Sequence, residues 1–575
     1  MPDQPLLVPR PRSLTTTGPG PAAGAPITER RVAGLRAEAY ELDLTVEGGE
    51  LRSSTDAGLR HGRRTLEQLR QAGPALPGLR IRDWPDFAVR GYMLDISRDR
   101  VPTRQTLERL VGLLALVGMN HLELYTEHTF AYRDHADVWR DASPMTPEDI
   151  RWLDDRCRAE GIELVANQNC FGHMERWLRL PAYRHRAEAP DGYEPISGLT
   201  RPPSVLAPTA DNAGWALGLL AELLPNFSAT AVNIGCDETF ELGLGVSAAM
   251  VAERGKAAVY AEHLARLVGP LAAEGRQVLF WDDVARHDRQ ALDGLDPSAV
   301  AVVWNYEAPG PPLDPPAGLA EFLERMGVDL DPSGGFSRLT SGWASSGRPF
   351  WVAPGTSSWN SLVGRIDNAT ANLLDAARAG LADGASGFLI TDWGDGGHLQ
   401  PPSVSFGPLV YGGAVSWCAS TNADLDVAAV LDRFVFDGSL GGVLDRVGRV
   451  WGQTGQRALN GSPLDAALSG GGTSMVLGRP DADAVAAVVG VLDAALGTIA
   501  AATPACADGP LVQAELAVAV RLARVGAWRL LEQAGVPTGP WPEELASLRD
   551  AYRAAWLARS RPGGLADSAA RLAPA

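Results

Sequence analysis

An α/β fold is predicted from this sequence: a (β/α)8 TIM barrel, preceded by a small α/β domain and followed by a helical C-terminal domain. Three observations carry the prediction. Eight short β-rich runs alternate with helical stretches between residues 89 and 391, a strand–helix unit precedes them, and strand signals stop beyond Cys418. At roughly 150 residues per domain, the 575 residues accommodate a large barrel with attachments. The boundaries fall at 1–86, 87–418 and 419–575.

The first thirty residues are rich in Pro, Gly and Thr and read as an extended lead-in. Alternation at Tyr40, Leu42, Leu44 and Val46, then Gly48-Gly49, marks strands, and Ala57 to Leu69 reads as a helix. That strand–strand–helix unit is too short to hold a large core of its own and is expected to pack on something bigger. The eight runs are Val89–Ile96, His121–Tyr125, Ile162–Asn167, Thr230–Ile234, Gln277–Trp281, Val300–Trp304, Phe350–Ala353 and Gly387–Thr391. Between them lie helices, one begun by Thr146-Pro-Glu-Asp, where Thr146 caps, Pro147 suits the first turn and Asp149 completes a capping box. Continuous apolar runs of this kind suit a parallel sheet buried on both faces. A doubly wound open sheet is the alternative arrangement of the same rhythm. Beyond Cys418, Ala- and Leu-rich helical periodicity runs to the end, broken at Gly470-Gly-Gly-Thr. Ala484 to Ala502 is apolar enough to suggest a membrane span, but Asp493 interrupts it and alanine dominates it, so it reads as a packed helix.

Apolar residues at 45% and charged residues at 21% are the balance of a soluble globular protein. With Lys+Arg 51 against Asp+Glu 69, the net charge of −18 excludes a general nucleic-acid binder, which needs clustered cations. Only Lys256 among the basic residues is lysine. The five cysteines, Cys157, Cys170, Cys236, Cys418 and Cys506, contain no Cys-x-x-Cys pair, so neither a disulfide framework nor a structural zinc site is expected. A reducing compartment fits. The N-terminus lacks a basic segment, an apolar core and a small-residue cleavage site, so a cytoplasmic protein without membrane association is expected.

Catalytic groups in a barrel come from the C-terminal ends of its strands. Those ends carry Asp95 and Arg98, Glu127 and His128, His173, Asp237 and Glu238, Trp281-Asp282-Asp283, Trp304-Asn-Tyr306, Trp359-Asn360 and Trp393-Gly-Asp395. Aromatic faces stack on sugar rings and carboxylates accept from hydroxyls, so the inventory suits a carbohydrate. A lone tryptophan is ordinarily core; four successive strand ends pairing Trp with a polar residue point to a ligand. The sharpest signal is Asp237-Glu238 at the end of an apolar strand, where burial and mutual repulsion raise one pKa and make a proton donor. The same pair also suits a helix start, with Asp as cap and Glu in the first turn. Glycosidases that work with two carboxylates hold them about 5–5.5 Å or roughly 6.5–9.5 Å apart across the bond. Strand neighbours diverge and fit that poorly. They fit better if the substrate's own 2-acetamido oxygen attacks, leaving the protein one acid/base and one carboxylate to orient the amide.

With these motifs the chain resembles β-N-acetylhexosaminidases of glycoside hydrolase family 20. The matching stretches are Arg90-Gly-Tyr-Met-Leu-Asp95-Ile-Ser-Arg98, Gly172-His173, Asn233-Ile-Gly-Cys-Asp237-Glu238 and Asp392-Trp393-Gly-Asp395, together with the α/β unit ahead of the barrel. Cys236-Asp-Glu-Thr-Phe-Glu-Leu-Gly-Leu-Gly and Pro354-Gly-Thr-Ser-Ser-Trp359-Asn are similar to a bacterial subgroup without export signals, also built with a helical C-terminal domain. The resemblance covers residues 30 to 418 and implies an exo-acting, retaining, substrate-assisted hydrolase of terminal β-linked GlcNAc or GalNAc. It implies Glu238 as general acid and Asp237 as holder of the acetamido N–H and stabiliser of the oxazolinium-like intermediate. Arg98 would bind the C3 and C4 hydroxyls; Trp281, Trp304, Trp359 and Trp393 would wall the −1 pocket, with Asp282 beside Trp281. Asp395 would accept from the 4- or 6-hydroxyl, and Tyr306 or Asn360 would donate to the acetamido oxygen. No cofactor or metal is implied, and the partner is a small glycan or glycoconjugate.

Two departures leave the sugar preference open. The family's His-x-His-Leu-x-Asp run after strand two is here His121-Leu-Glu-Leu-Tyr-Thr-Glu127-His128, so Glu127 is assigned to orient His173. The tyrosine usual after strand seven is replaced by Ser357, Ser358 and Trp359. Three rival readings remain: a metal-dependent hydrolase using Glu123, Glu127, His128 and His173, a non-catalytic sugar-binding barrel, and a glycosidase for free-amino sugars. Against the first, none of the nine histidines forms an His-x-His pair. The C-terminal helices are available either to form a homo-oligomer or to cover the barrel base.

Overall fold

The computed structural model describes residues 5–71, 73–196, 199–313, 315, 320, 330–470 and 475–572. The eight runs form a closed parallel barrel of β1 (Val89–Asp95), β2 (His121–Thr126), β3 (Glu163–Gln168), β4 (Ala231–Asn233), β5 (Gln277–Trp281), β6 (Val300–Trp304), β7 (Phe350–Ala353) and β8 (Gly387–Asp392). Closure comes from β8 pairing with β1, Asp392 level with Leu94, which removes the open-sheet alternative. Side chains alternate across every strand. In β5, Val278 and Phe280 pack on the surrounding helices while Leu279 and Trp281 fill the interior; β8 does the same with Phe388 and Ile390 outward and Leu389 inward. The interior is closed by layers of Met93, Tyr125, Val165, Val302 and Trp351, so the barrel is a packed core whose ligand face lies at its mouth. Helix Pro147–Glu160 carries the expected capping box: Asp149 N–H donates to Thr146 Oγ1 at 3.2 Å, and Thr146 N–H donates to Asp149 Oδ2 at 3.3 Å.

The small domain is larger than its hydrophobic alternation suggests. Part of the expected lead-in is sheet: Ser13–Ala22 and Ile27–Arg31 are the two edge strands of a five-stranded sheet, with Ala75–Asp83, Tyr40–Thr45 and Gly48–Ser53 between them. Both edges face water along most of their length, so they need no apolar alternation, and Pro is tolerated at an edge where its missing N–H is not called upon. One face of the sheet takes helix Asp56–Gln71 onto Tyr40, Leu42, Leu44 and Leu51, and Trp417, at the end of the helix that follows β8, completes that cluster. Arg90 at the start of β1 is fully buried between the two bodies. It donates to Glu38, to Phe87 O at 2.7 Å and to Gly118 O at 2.9 Å, and lies 5.0 Å from the Trp417 ring centroid.

Three long helices, Ala482–Ala501, Gly509–Gln533 and Trp541–Arg559, dominate the C-terminal region. Strand signals do not end completely at Cys418: Arg457–Leu459 pairs antiparallel with Met475–Leu477, two strands too short to show a period. Residues 471–474 of the expected Gly-rich break lie outside the described residues. Ala482–Ala501 is long and apolar enough to cross a membrane by length and composition. It buries the stripe Val485, Val488, Leu492, Ala495 and Ile499, chiefly against Gly509–Gln533, while Asp493 pairs with Arg524 at 2.7 Å.

Arg559, at the end of its helix, ties this region to the barrel. Its buried guanidinium donates to Glu515 at 2.8 and 3.1 Å and to Asp508 at 2.7 Å, and its carbonyl accepts from Thr103 N–H, the cap of helix Arg104–Leu116. Removing one partner of a buried pair strands the other charge. Glu515→Leu is expected to cost about 3 kcal/mol of unfolding free energy in urea denaturation; a loss under about 1 kcal/mol would show that Asp508 alone satisfies the arginine.

Candidate active site

Beyond β4 the chain leaves the extended conformation. Gly235, Cys236 and Glu238 have φ of 67°, 71° and 48°, and His173 facing them has 53°. Left-handed backbone in non-glycine residues is costly and persists only where surroundings enforce it. Here Cys236 N–H donates to Asn169 Oδ1 at 3.1 Å and Glu238 N–H to Asp283 Oδ2 at 2.9 Å. Gly172 allows the close approach of the facing loop: a Cβ there would sit 2.1 Å from the Asp237 carbonyl oxygen. No helix begins at Asp237; the next described helix starts at Ala248, so the pair has no helix to cap.

This irregular turn brings both carboxylates to one imidazole. His173 Nε2 lies 3.2 Å from Asp237 Oδ2 and 3.3 Å from Glu238 Oε2, and Nδ1 is 3.8 Å from Glu127 Oε1. Burial alone would lower the His173 pKa, but Asp237, Glu238 and Glu127 lift it to about 10, so the ring is an imidazolium. The two carboxylates are driven apart. Burial raises Asp237, yet His173 and the Asn169 amide, 2.7 Å from Oδ1, outweigh it and hold the pKa below the usual aspartate value. Glu238 is raised by burial, with Asp237 and Asp395 adding to the effect against His173 and Arg98. Behind them Asp283 is pushed up to about 8 by burial and by Asp237. Asp283 accepts from the Glu238 amide, and its burial beside Asp237 disfavours a further negative charge there.

Arg98 lies beside this group. Its Nη1 meets Asp95 at 3.0 Å and Glu127 at 3.2 Å, and its guanidinium covers the Tyr125 and Trp393 rings at 5.5 and 5.7 Å. Asp99 turns away, to His128 at 2.7 Å and Arg176 at 3.0 Å. The aromatic wall is continuous: Trp281 lies 5.8 Å from Trp393, Trp393 Nε1 donates to Tyr306 OH at 2.8 Å, Tyr306 stacks on Trp304 at 5.2 Å, and Trp359 meets Tyr306 edge-on at 5.2 Å. Asp395 Oδ2 accepts from Asn360 Nδ2 and Asn460 Nδ2, each at 3.0 Å.

One expected ligand residue is misplaced. Asp282 is fully buried on the helix side of the barrel, accepting from Trp343 Nε1 at 2.9 Å and pairing with Arg286. The period-two alternation that turns Trp281 inward turns Asp282 outward and leaves Asp283 to face Glu238. Two of the four residues of the metal reading turn elsewhere: Glu123 bonds His121 at 2.8 Å and Asn167 at 2.7 Å, and His128 bonds Asp99. Sequence reasoning missed Asn169 and Asn460, and it named Asp283 among the strand ends without giving it a role. Asn169 sits just past β3, where a systematic reading of strand ends reaches it. Asp283 needed the alternation rule applied to Trp281. Asn460 arrives from beyond the barrel with no local signal.

The model described as the catalytic domain of glycosyl hydrolase family 20 matches residues 87–311, and that family's domain 2 matches residues 6–84. Among curated proteins, human hexosaminidase D is 25% identical over 328 residues, 53% of this chain and 60% of its own length. Bovine hexosaminidase D is 24% identical over half of this chain. The chain thus spans about 60% of the human relative's length. Among solved structures, a family 20 exo-β-N-acetylglucosaminidase from Vibrio harveyi superposes with a TM-score of 0.56 at 16% identity, covering 74% of this chain and 77% of its own. The chitobiase of Flavobacterium johnsoniae gives 0.55 at 14% identity, covering 96% and 98%. These likenesses carry the fold. The two family models together span more than half of the residues, and the chain belongs to glycosyl hydrolase family 20.

Proposed function

We propose that the chain is an exo-acting β-N-acetylhexosaminidase that releases terminal β-linked GlcNAc or GalNAc with retention, using the substrate's acetamido group as nucleophile. One observation carries this: Asp237 and Glu238 meet the same imidazole, yet their surroundings hold the first pKa below and the second above its ordinary value. An enzyme nucleophile needs a second carboxylate about 5–5.5 Å from the acid, across the sugar. Carboxylates converging on one ring stand on the same side and suit proton donation and amide orientation instead.

In the proposed reaction the acetamido oxygen attacks C1 while Glu238 gives its proton to the departing glycosidic oxygen. Ionised Asp237 accepts from the acetamido N–H and stabilises the charge that spreads over the cyclised amide. Glu238, now ionised, takes a proton from water as that water attacks C1, the C1–O bond of the ring intermediate breaks, and the β-anomer is restored. Tyr306 is the better donor to the acetamido oxygen. It accepts from Trp393 and keeps its own proton, whereas Asn360 Nδ2 is spent on Asp395 and on Asn460 O at 3.1 Å. Arg98 engages its carboxylates through Nη1, and the rest of its fork suits vicinal C3 and C4 hydroxyls. Five unpaired cysteines, four of them buried, support a reducing, cytoplasmic setting.

A thiazoline analogue of the cyclised intermediate is expected to inhibit competitively and far more tightly than the product sugar, because it mimics the state that the site favours; a trapped covalent sugar–enzyme adduct would overturn the mechanism. Glu238→Gln should lose about 10²–10⁴-fold on substrates with poor leaving groups and much less on activated aryl glycosides, while Asp237→Asn lowers both alike. Matching profiles for the two variants would refute the assigned roles. In pH profiles of kcat/KM, activity should fall on the acid side as Asp237 protonates, below the ordinary aspartate range, and on the basic side as Glu238 ionises, above the ordinary glutamate range. A basic limb that persists in Glu238→Gln would assign it to another group.

A further inference from the structure

The turn that follows strand Arg457–Leu459 enters the barrel mouth. Asn460, at φ 51°, uses each polar group it has. Its Nδ2 donates to Asp395 Oδ2 at 3.0 Å, its Oδ1 accepts from Trp359 Nε1 at 2.7 Å, its carbonyl accepts from Asn360 Nδ2 at 3.1 Å, and its N–H donates to Glu307 Oε1 at 2.8 Å. Glu307 is itself held by the fork of buried Arg365 at 2.8 and 3.0 Å. Two residues on, Ser462 N–H donates to Asn360 O at 2.9 Å, so the intruding turn is anchored on both sides of Asn460.

The bonds to Asp395 are one-sided. Asn360 and Asn460 both donate to Oδ2, which orients the carboxylate and leaves Oδ1 to accept from something else. Asn360 and Asp395 are also left-handed, at 52° and 39°, so three adjacent groups hold strained backbone to make this contact. A residue that only braced the C-terminal region would not need to grip a carboxylate and an indole of the sugar pocket at once.

We propose that Asn460 is a specificity-determining residue of the −1 subsite, contributed from outside the barrel: it orients Asp395 and Trp359 together, so that Asp395 Oδ1 selects the sugar by its hydroxyl at C4 or C6. This rests on the hexosaminidase reading above and extends it. The matched catalytic domain ends at residue 311, so Asn360, Asp395 and Asn460 all lie beyond it.

Asn460→Gly tests the proposal cleanly. Glycine adopts the left-handed conformation without strain and retains the backbone bonds to Glu307 and Asn360, so only the side-chain amide is lost. Wild type and variant are compared on aryl β-glycosides of GlcNAc, its C4 epimer GalNAc, and the 4-deoxy and 6-deoxy analogues of GlcNAc, with melting temperature measured alongside. The variant should stay folded with a modestly lower melting temperature, because the buried Trp359 N–H loses its acceptor, lose about tenfold in kcat/KM on GlcNAc, and shift its GlcNAc-to-GalNAc ratio. On the deoxy analogue that lacks the hydroxyl held by Asp395, the loss should shrink to about twofold or less, because the lost contact is already absent. An equal loss on every substrate, or none, would overturn the assignment while leaving the hydrolase reading intact. A wild type inactive on all four substrates would overturn the hydrolase reading and this proposal with it.

Discussion

Side-chain parity along buried parallel strands is the constraint on which this site depends. In a closed barrel each residue must look either into the interior or toward the helices, and a shift by one exchanges every role. That rule places Trp281 in the wall, sends Asp282 to the helix side and returns Asp283 to the catalytic turn. Parity also forbids two neighbours in a regular strand from reaching one point. Asp237 and Glu238 do so because β4 stops at Asn233 and the backbone turns left-handed at Gly235, Cys236 and Glu238. The site therefore begins where regular strand ends, and the bonds from Asn169 and Asp283 hold the exception in place.

The electrostatics follow from that geometry. Negative groups converge in a partly dry cleft, where like charges repel strongly. Two cations answer them: His173 among Asp237, Glu238 and Glu127, and Arg98 among Asp95, Glu127 and the faces of Tyr125 and Trp393. The compensation is uneven. Asp237 has both the imidazolium and an amide on it, while Glu238 shares the imidazolium and remains dominated by burial. The same surroundings therefore draw one carboxyl pKa down and push the other up, which is the division that the proposed acid catalysis calls for.

What was legible in the sequence was what repeats. The eight barrel strands emerged because each is buried on both faces and reads as an apolar run, and the helix at Thr146 emerged because its cap is local. Asp237, Glu238, Arg98, His173 and the tryptophans follow from the rule that strand ends carry chemistry. The edge strands Ser13–Ala22 and Ile27–Arg31 escaped because water, not a core, meets their side chains. Asp282 was chosen over Asp283 because composition alone cannot tell adjacent aspartates apart; only the pleat can. Asn460 was invisible for a third reason: its partners Trp359 and Asp395 are 101 and 65 positions away, and no local pattern encodes such a meeting.

The route of the chain also bears on when this protein becomes complete. Synthesis proceeds from the N-terminus, and domains tend to fold as they emerge. A nascent chain that ends just past β8 already holds all eight barrel strands, with Asp237, Glu238, Arg98 and His173. Yet the Asp395 carboxylate still lacks Asn460, and the Thr103 cap still lacks the Arg559 carbonyl. The mouth of the barrel is therefore finished by segments made after β8, so the eight strands alone leave Asp395 without its Asn460 partner.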